Sequence, residues 1–573
     1  MLEEKASICV EVFVKRRCRI RQRPLSRRLR GAKRRITDVS TCRKWRRKLE
    51  DLAIKMKELQ LPPPPSFGQE LHNGIFRWAL AALVGLDYFD HAIFSFFAPY
   101  IAGGVNASAD ELVWSSSTYA VGAVLGILQQ RQMSQRLGYR VYIAGCVLLY
   151  SIASIVAATC DTSIALAVAR GVQGYAIGPV KCTARIVIQT KVMSPQRPSA
   201  LRAFALLIVV GGAFAPIVGG LLVSRLDWRA LFACVVPAAL FFGACVFFTI
   251  PANADQREDA LPVADLRAYL IFAVSQCALQ IVMQQVRFEL FTTSPELIGL
   301  AACGIFAIGW FAYGQWNHPA PFVRLHGLQQ KAFRTGLLLY IFYYYLSTAL
   351  GYLFAGFLEE GLGYPIENAG FLFGFTSLVS ATALFAYLKY SKLISNKRLL
   401  IVPGFLIALT CTSLTTRLPP SVSQNVLLAP LILRGLFVFF VILPVANATF
   451  RTFRPDDYTH SYRLKEIVRQ LTISFATCSM IILEQHRQAL HQTRLTEFAN
   501  PFNPAFQDMF RDLTNFFVNT GHSITESHTL AMVNISNMVT QQASFIASLD
   551  GFRFLACVAL CGAIVATLQD KID

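Results

Sequence analysis

The sequence predicts an all-α polytopic membrane protein, and three observations carry that prediction. Hydrophobic residues make up 54% of the chain and charged residues only 15%, where about 25% charged is usual for soluble domains. Apolar runs of about 20 residues, the length a helix needs to cross a bilayer, recur from residue 76 to the C-terminal end. Glycine and proline fall inside these runs, most densely at Gly211-Gly212-Ala213-Phe214-Ala215-Pro216-Ile217-Val218-Gly219-Gly220. In a water-soluble helix each such Gly costs roughly 1 kcal/mol and Pro roughly 3. In lipid, small residues let two helix backbones approach, and neighbours re-satisfy what proline frees. The stretch therefore reads as a kinked transmembrane helix against a partner, or as a generic small-residue packing face.

The chain divides by charge before it divides by helix. Residues 1–60 hold 20 Lys and Arg against 7 Asp and Glu, out of a net charge of +20 for the whole chain. Runs such as Arg27-Arg28-Leu29-Arg30 and Arg43-Lys44-Trp45-Arg46-Arg47-Lys48 have the character of a tail for nucleic acid or anionic lipid. They lack the apolar stretch of a signal peptide. Three readings stay open: a disordered cytoplasmic tail, a translation start placed upstream of Met56, and a dedicated binding arm. Nucleic acid is not an expected partner. Residues 1–70 are set aside as a basic N-terminal extension, with Pro62-Pro63-Pro64-Pro65 as a stiff spacer.

The first span covers about 76–102 and holds Asp87 and Asp90. A carboxylate at mid-membrane costs about 2.5–3.5 kcal/mol on insertion scales, so these positions are functional candidates. Spans two to six follow at about 113–130, 141–158, 164–188, 203–223 and 231–250, which makes 71–252 a six-helix N-terminal half. A polar linker at 253–267 and spans at 268–286 and 297–313 form an insert of two helices, 253–332. Spans at 335–357, 370–387, 399–414, 426–450, 467–483 and 552–568 make 333–573 the C-terminal half. The total is 14. Loops after even-numbered spans are richer in Lys and Arg, among them Arg136, Arg140, Lys191, Arg324 and Lys397. The positive-inside rule then puts both termini in the cytoplasm and the 485–550 loop outside. In that loop Phe506, Met509, Phe510, Leu513, Phe516 and Phe517 make one stripe at helical spacing. It lies either on the membrane surface or a partner, or on the protein's own outer face. The 14 cysteines include no C-x-x-C pair and read as small buried hydrophobes. No catalytic constellation, phosphate loop or metal-ligand spacing appears, so no enzyme, cofactor or metal is expected.

Several motifs resemble the 14-helix branch of drug:proton antiporters in the major facilitator superfamily, the EmrB/QacA type. The likeness covers roughly 75–570. Asp90 and Pro99 are similar to the family's first-helix pattern. Arg170-Gly171-Val172-Gln173-Gly174 matches R-x-x-Q-G in helix four, with Gln173 and Gly174 in the conserved-type places of that motif. Gly211, Pro216, Gly219 and Gly220 resemble the fifth-helix antiporter signature, with Ala215 where a glycine is usual. Glu497-Phe498-Ala499-Asn500-Pro501-Phe502-Asn503-Pro504 looks like the tail of EmrB-like pumps. The resemblance implies the major facilitator fold, with two six-helix halves plus two extra helices. It also implies proton-coupled export of small amphipathic drugs from the inner membrane as part of a multidrug efflux system. A periplasmic adaptor and an outer-membrane channel are its implied partners, beside the lipid bilayer. The loop between helices two and three departs: Arg131 replaces a glycine and Gln135 an aspartate, while Arg136, Gly138 and Arg140 stay near pattern. That loop latches the gate in the family, so a transport-deficient relative with a sensing or structural role is the second reading.

On the resemblance, Asp90 carries the proton and Arg170 is its cation, inside a cavity that the drug shares. A low-dielectric cavity raises a carboxyl pKa and a nearby cation lowers it. The alternative is a structural ion pair. Phe94, Phe97, Trp114 and Tyr119 are candidates for an apolar drug pocket. Lys181 and Arg185 either favour anionic substrates or snorkel to the membrane edge.

Overall fold

The computed structural model describes residues 67–192, 196–250, 265–285, 294–318, 321–390, 398–450, 453 and 455–569. The expectations for the basic extension and for most of the 253–267 linker fall outside them. Helix α1 (Phe67–Phe96) gives way at Phe97 to the short α2 (Ala98–Gly104), because Pro99 lacks an N–H and disfavours helix in the residue before it. α3 (Ala109–Leu137) begins on a capping box: the Ser108 hydroxyl accepts from Glu111 N–H while the Glu111 carboxylate accepts from Ser108 N–H. One residue, Gly138, joins it to α4 (Tyr139–Thr159). Its φ of 80° is the left-handed conformation that glycine adopts without strain. α5 (Ser163–Thr190), α6 (Arg197–Arg225), α7 (Ala230–Ala233) and α8 (Val235–Thr249) follow, then α9 (Leu266–Gln285) and α10 (Pro295–Asn317). α11 (Lys331–Gly356) ends in a π turn at Phe357–Gly361. α12 (Ile366–Tyr390), α13 (Arg398–Thr415), α14 (Gln424–Thr449), α15 (Pro455–Thr496), α16 (Pro504–Asn519) and α17 (Ile524–Leu568) complete the chain.

Among the described residues, twelve helices are long and apolar enough to cross a membrane. α5 and α12, of 28 and 25 residues, pack among them but fall outside that set. Arg170, Gln173, Lys181 and Arg185 make α5 too polar for it.

Glycine decides where these helices cross. α1 meets α6 at Gly85 and Gly211, where a methyl group on Gly211 would lie on the Gly85 carbonyl oxygen. α6 meets α12 on its other side: a Cβ at Gly370 would sit 2.5 Å from the Pro216 carbonyl oxygen, and one at Gly374 2.6 Å from that of Ala213. α3 and α5 touch backbone to backbone, with Gly174 against the Tyr119 carbonyl. The small residues of the 211–220 stretch thus pack α6 against two neighbours at once.

The segment 485–550 is not a loop. α15 has 42 residues and α17 has 45, or about 63 and 68 Å at ~1.5 Å per residue, roughly twice the ~30 Å of a hydrocarbon core. Side chains stitch the two rods together: His491 lies 2.9 Å from Asp550, and the Ser548 hydroxyl donates to Glu484 at 3.2 Å. Polar residues on the outer faces of these rods mask their helicity from a search for apolar runs. α16 closes the hairpin. Phe506, Phe510, Leu513 and Phe517 are half-buried and α16 packs on α17, with the Phe510 ring 5.3 Å from that of His528. Met509 and Phe516 face outward. These four residues therefore follow the second reading, packing on the protein's own helix. Phe510→Ser with Phe517→Ser is expected to free α16 from α17, with hydrogen exchange over 504–519 rising ~10-fold, since truncating half-buried aromatics costs over 1 kcal/mol. Unchanged exchange there would mean the turns at each end of α16, not the stripe, hold it.

Candidate functional site

Helices α1, α3, α5, α6, α11, α12, α14 and α15 surround a cavity of about 990 Å³. Its wall is largely aromatic and aliphatic: Phe94, Phe96, Phe373, Phe437, Tyr340, Tyr343 and Tyr344 all face it. Of the four expected pocket residues only Phe94 lines it. Phe97 is fully buried between Phe96 and α6, where its ring occupies the space above Gly219. Trp114 is absent from the wall, and Tyr119 is buried behind it with its hydroxyl donating to Asp87 at 2.8 Å.

Asp90 and Arg170 meet one layer behind the wall rather than in it. Both are within 1% of full burial, and Arg170 Nη1 donates to Asp90 Oδ2 at 2.8 Å. The same Nη1 donates to Gln173 Oε1 at 2.9 Å, and the Gln173 amide donates to Ser154 at 2.7 Å. The guanidinium lies between the rings of Phe94 and Tyr119, 4.3 and 4.5 Å from their centroids. Asp90 Oδ1 has no hydrogen-bond partner. Breaking a buried pair of this kind is costly, because the partner left behind keeps an uncompensated charge. The R-x-x-Q-G residues thus form one chain of bonds from α1 through α5 to α4, with Gly174 giving α3 its close approach.

The 131–140 segment makes its own set of contacts. Arg136 is exposed in the last turn of α3, where its charge suits the helix C-terminus. Arg140 donates to the Ile250 carbonyl at 3.2 Å and so ties α4 to the end of α8. Arg131, the residue that breaks the pattern, lies with Nη1 2.8 Å from Nε2 of His460 on α15, and His460 in turn touches Arg463. Arg131 thus ties the end of α3 to α15.

Sequence reasoning missed the most highly charged part of the wall. Glu466 on α15 is held by three cations: Lys181 at 2.9 Å, Lys465 at 2.6 Å and Arg469 at 2.8 Å. All four are at least 95% buried. Lys181 therefore does not snorkel. Placing the thirteenth span at 467–483 left Lys465 and Glu466 outside it, although Lys465 and Arg469 share one helical face. Arg185 also lines the cavity and donates to the Tyr458 hydroxyl at 3.0 Å. Arg434 packs 3.7 Å from the centre of the Phe373 ring and donates to Ser377. Three carboxylates line the cavity: Glu359 and Glu360 in the π turn of α11, and Glu484 on α15.

A family model described as Major Facilitator Superfamily matches residues 80–477. The chain belongs to the major facilitator superfamily. This facilitator is 23% identical to the multidrug export protein EmrB of Haemophilus influenzae over 497 residues, covering 85% of the chain and 93% of the relative. It is 21% identical to the probable multidrug resistance protein EmrY of Escherichia coli, covering 83% and 91%. Among solved structures it superimposes on a bacterial homologue of the human lysosomal transporter Spinster, in an inward-facing and unoccupied conformation, with a TM-score of 0.53 at 14% identity, covering 88% of this chain and 98% of that one. The facilitator is accordingly a multi-pass membrane transporter of the EmrB-like kind, and its chemistry is movement of a solute rather than conversion of one.

Proposed function

We propose that this facilitator exports small amphipathic compounds across the bacterial inner membrane in exchange for protons, with both termini in the cytoplasm. The observation that carries the reading is a large aromatic cavity standing beside a buried carboxylate–guanidinium pair. The names of the relatives as multidrug export proteins support the substrate class. Asp90 is the proton carrier: protonation at Oδ1 releases Arg170 towards Gln173, and the packing of α1 against α5 changes with it. The glycine-rich face of α6 supplies the close contact about which the halves, 71–252 and 333–573, rock, while 253–332 adds two helices outside that motion. A periplasmic adaptor and an outer-membrane channel receive the substrate. Their docking surface is the outward side of the α15–α17 hairpin, where Phe502 is 94% exposed and Met509 and Phe516 also face out.

Reconstitution tests the transport reading. Proteoliposomes with an imposed proton gradient are expected to accumulate a fluorescent amphipathic dye, and a protonophore is expected to reduce uptake to the level of empty vesicles. Uptake that survives collapse of the gradient would sink proton coupling. Absence of uptake under any gradient would favour a protein that has kept the fold and lost transport.

A further inference from the structure

We propose that the cluster of Lys181, Lys465 and Arg469 is a receptor for the anionic headgroup of the transported molecule, so that the cavity selects amphipathic anions. This rests on the export reading and names its substrate class. The cluster has more positive charge than its own carboxylate answers. Three cations converge on Glu466 within 2.9 Å. The other nearby acid, Asp87, accepts from Tyr119, and counting it as well still leaves three cations to two carboxylates. Buried charges are normally paired, because an unpaired one forfeits its hydration with no return. Here the cations are buried from bulk solvent yet Lys181, Lys465 and Arg469 all border the open cavity, while Glu466 does not. The imbalance faces the space where a solute would sit.

The surroundings suit an anion with an apolar body. Tyr340, Tyr344 and Tyr462 surround the Lys465 ammonium at 5.0, 5.4 and 4.9 Å from their ring centres, and the Lys181 ammonium donates to the Tyr88 hydroxyl at 2.9 Å, 4.8 Å from the centre of that ring. These rings fix the cations in place and hold out water, which strengthens any ion pair formed there. Away from the cluster the wall turns to Phe94, Phe373 and Phe437. At its far end stand Glu359, Glu360 and Glu484. Arg469 and Glu484 share α15 and lie about 22 Å apart at ~1.5 Å per residue. The cavity is therefore polarised along its length: an anionic head is attracted at one end and repelled at the other, and a cationic amphipath meets the reverse arrangement.

A matched pair of fluorescent probes tests this in the intact protein held in lipid nanodiscs. Anilinonaphthalene sulfonate carries the anion; N-phenylnaphthylamine has the same aromatic body without it. Lys465→Gln and Arg469→Gln are each expected to weaken sulfonate binding by ~10-fold or more, the value of a lost hydrogen bond to a charged group, and to leave the neutral probe unchanged. Glu466→Gln is the decisive variant. It frees all three cations, so sulfonate binding should tighten severalfold, whereas a cluster that serves only to hold α5 against α15 would lose affinity for both probes in all three variants. Thermal unfolding of each variant separates local from global damage. Equal affinity of the wild type for the two probes, or a Glu466→Gln variant that weakens the sulfonate, overturns the proposal. If the binding pattern holds but neither probe is transported in proteoliposomes, the export reading fails and the anion site stands.

Discussion

Asp90→Asn is expected to abolish drug-driven proton movement in vesicles and to lower the stability of the protein together. Asp90 and Arg170 are both within 1% of full burial and meet at 2.8 Å. Removing one member of such a pair leaves the other charged and unpaired in a low-dielectric site, at a cost of about 3–5 kcal/mol. Part of that is recovered here, because Gln173 still accepts from Arg170 and the guanidinium keeps its two aromatic faces. A double variant distinguishes a proton carrier from a structural pair. Asp90→Asn with Arg170→Gln removes both charges, so stability should return towards the wild type and the two single losses should not add. If Asp90 carries the proton, exchange stays at background in the double variant although the fold has recovered. If transport returns with stability, the pair is structural and the proton is carried elsewhere. The cavity-facing carboxylates Glu359, Glu360 and Glu484 are then the groups to substitute next.

Much of this architecture was legible in the sequence, and the parts that were not share a cause. Apolar runs and interrupting glycines fall where the helices and their crossings lie, because period, length and side-chain size are local properties. Asp90 was legible because a charge inside an apolar run is itself the anomaly, and Arg170 as its partner because the R-x-x-Q-G motif resembles that of a known family. Lys465, Glu466 and Arg469 were not, since they stand at the edge of their run and read as ordinary flanking charges; the packing of α15 against α5 and α11 is what buries them. The hairpin of α15 and α17 was missed because its helices leave the hydrocarbon and turn amphipathic, which lowers apolarity without ending the helix. The pocket aromatics failed for a different reason. Phe94 and Phe97 are three residues apart, and which of them meets the cavity depends on the bend between α1 and α2.

Gly211→Leu should leave no functional transporter, while Gly212→Leu, one residue along the same helix, should fold normally. By residue type and apolar surroundings alone the two glycines are alike in the sequence, and only the family motif singles out Gly211. In the structure, Gly211 faces the Gly85 carbonyl of α1, whereas a Cβ at Gly212 meets nothing within 4 Å and points to the cavity wall. A leucine at Gly211 must push α1 and α6 apart, and the neighbour is backbone, which does not rotate away. Overpacking of this kind costs typically 1–3 kcal/mol and more where backbone has to move. The displaced helix also carries Asp90, so proton exchange should fail even in whatever fraction inserts. Gly219→Leu is expected to behave as Gly211→Leu does, through the Phe97 ring; Gly220→Leu should be milder, its nearest neighbour being the Glu367 backbone at 3.3 Å. At Gly212 the leucine instead occupies part of the cavity, so wild-type melting with a narrowed range of exported compounds is the expected result. Melting temperature and dye export measured on the four variants decide the matter. A Gly211→Leu protein that melts and transports like the wild type would mean that α1 and α6 do not depend on their backbone contact. The 211–220 stretch would then be a packing face without a part in transport.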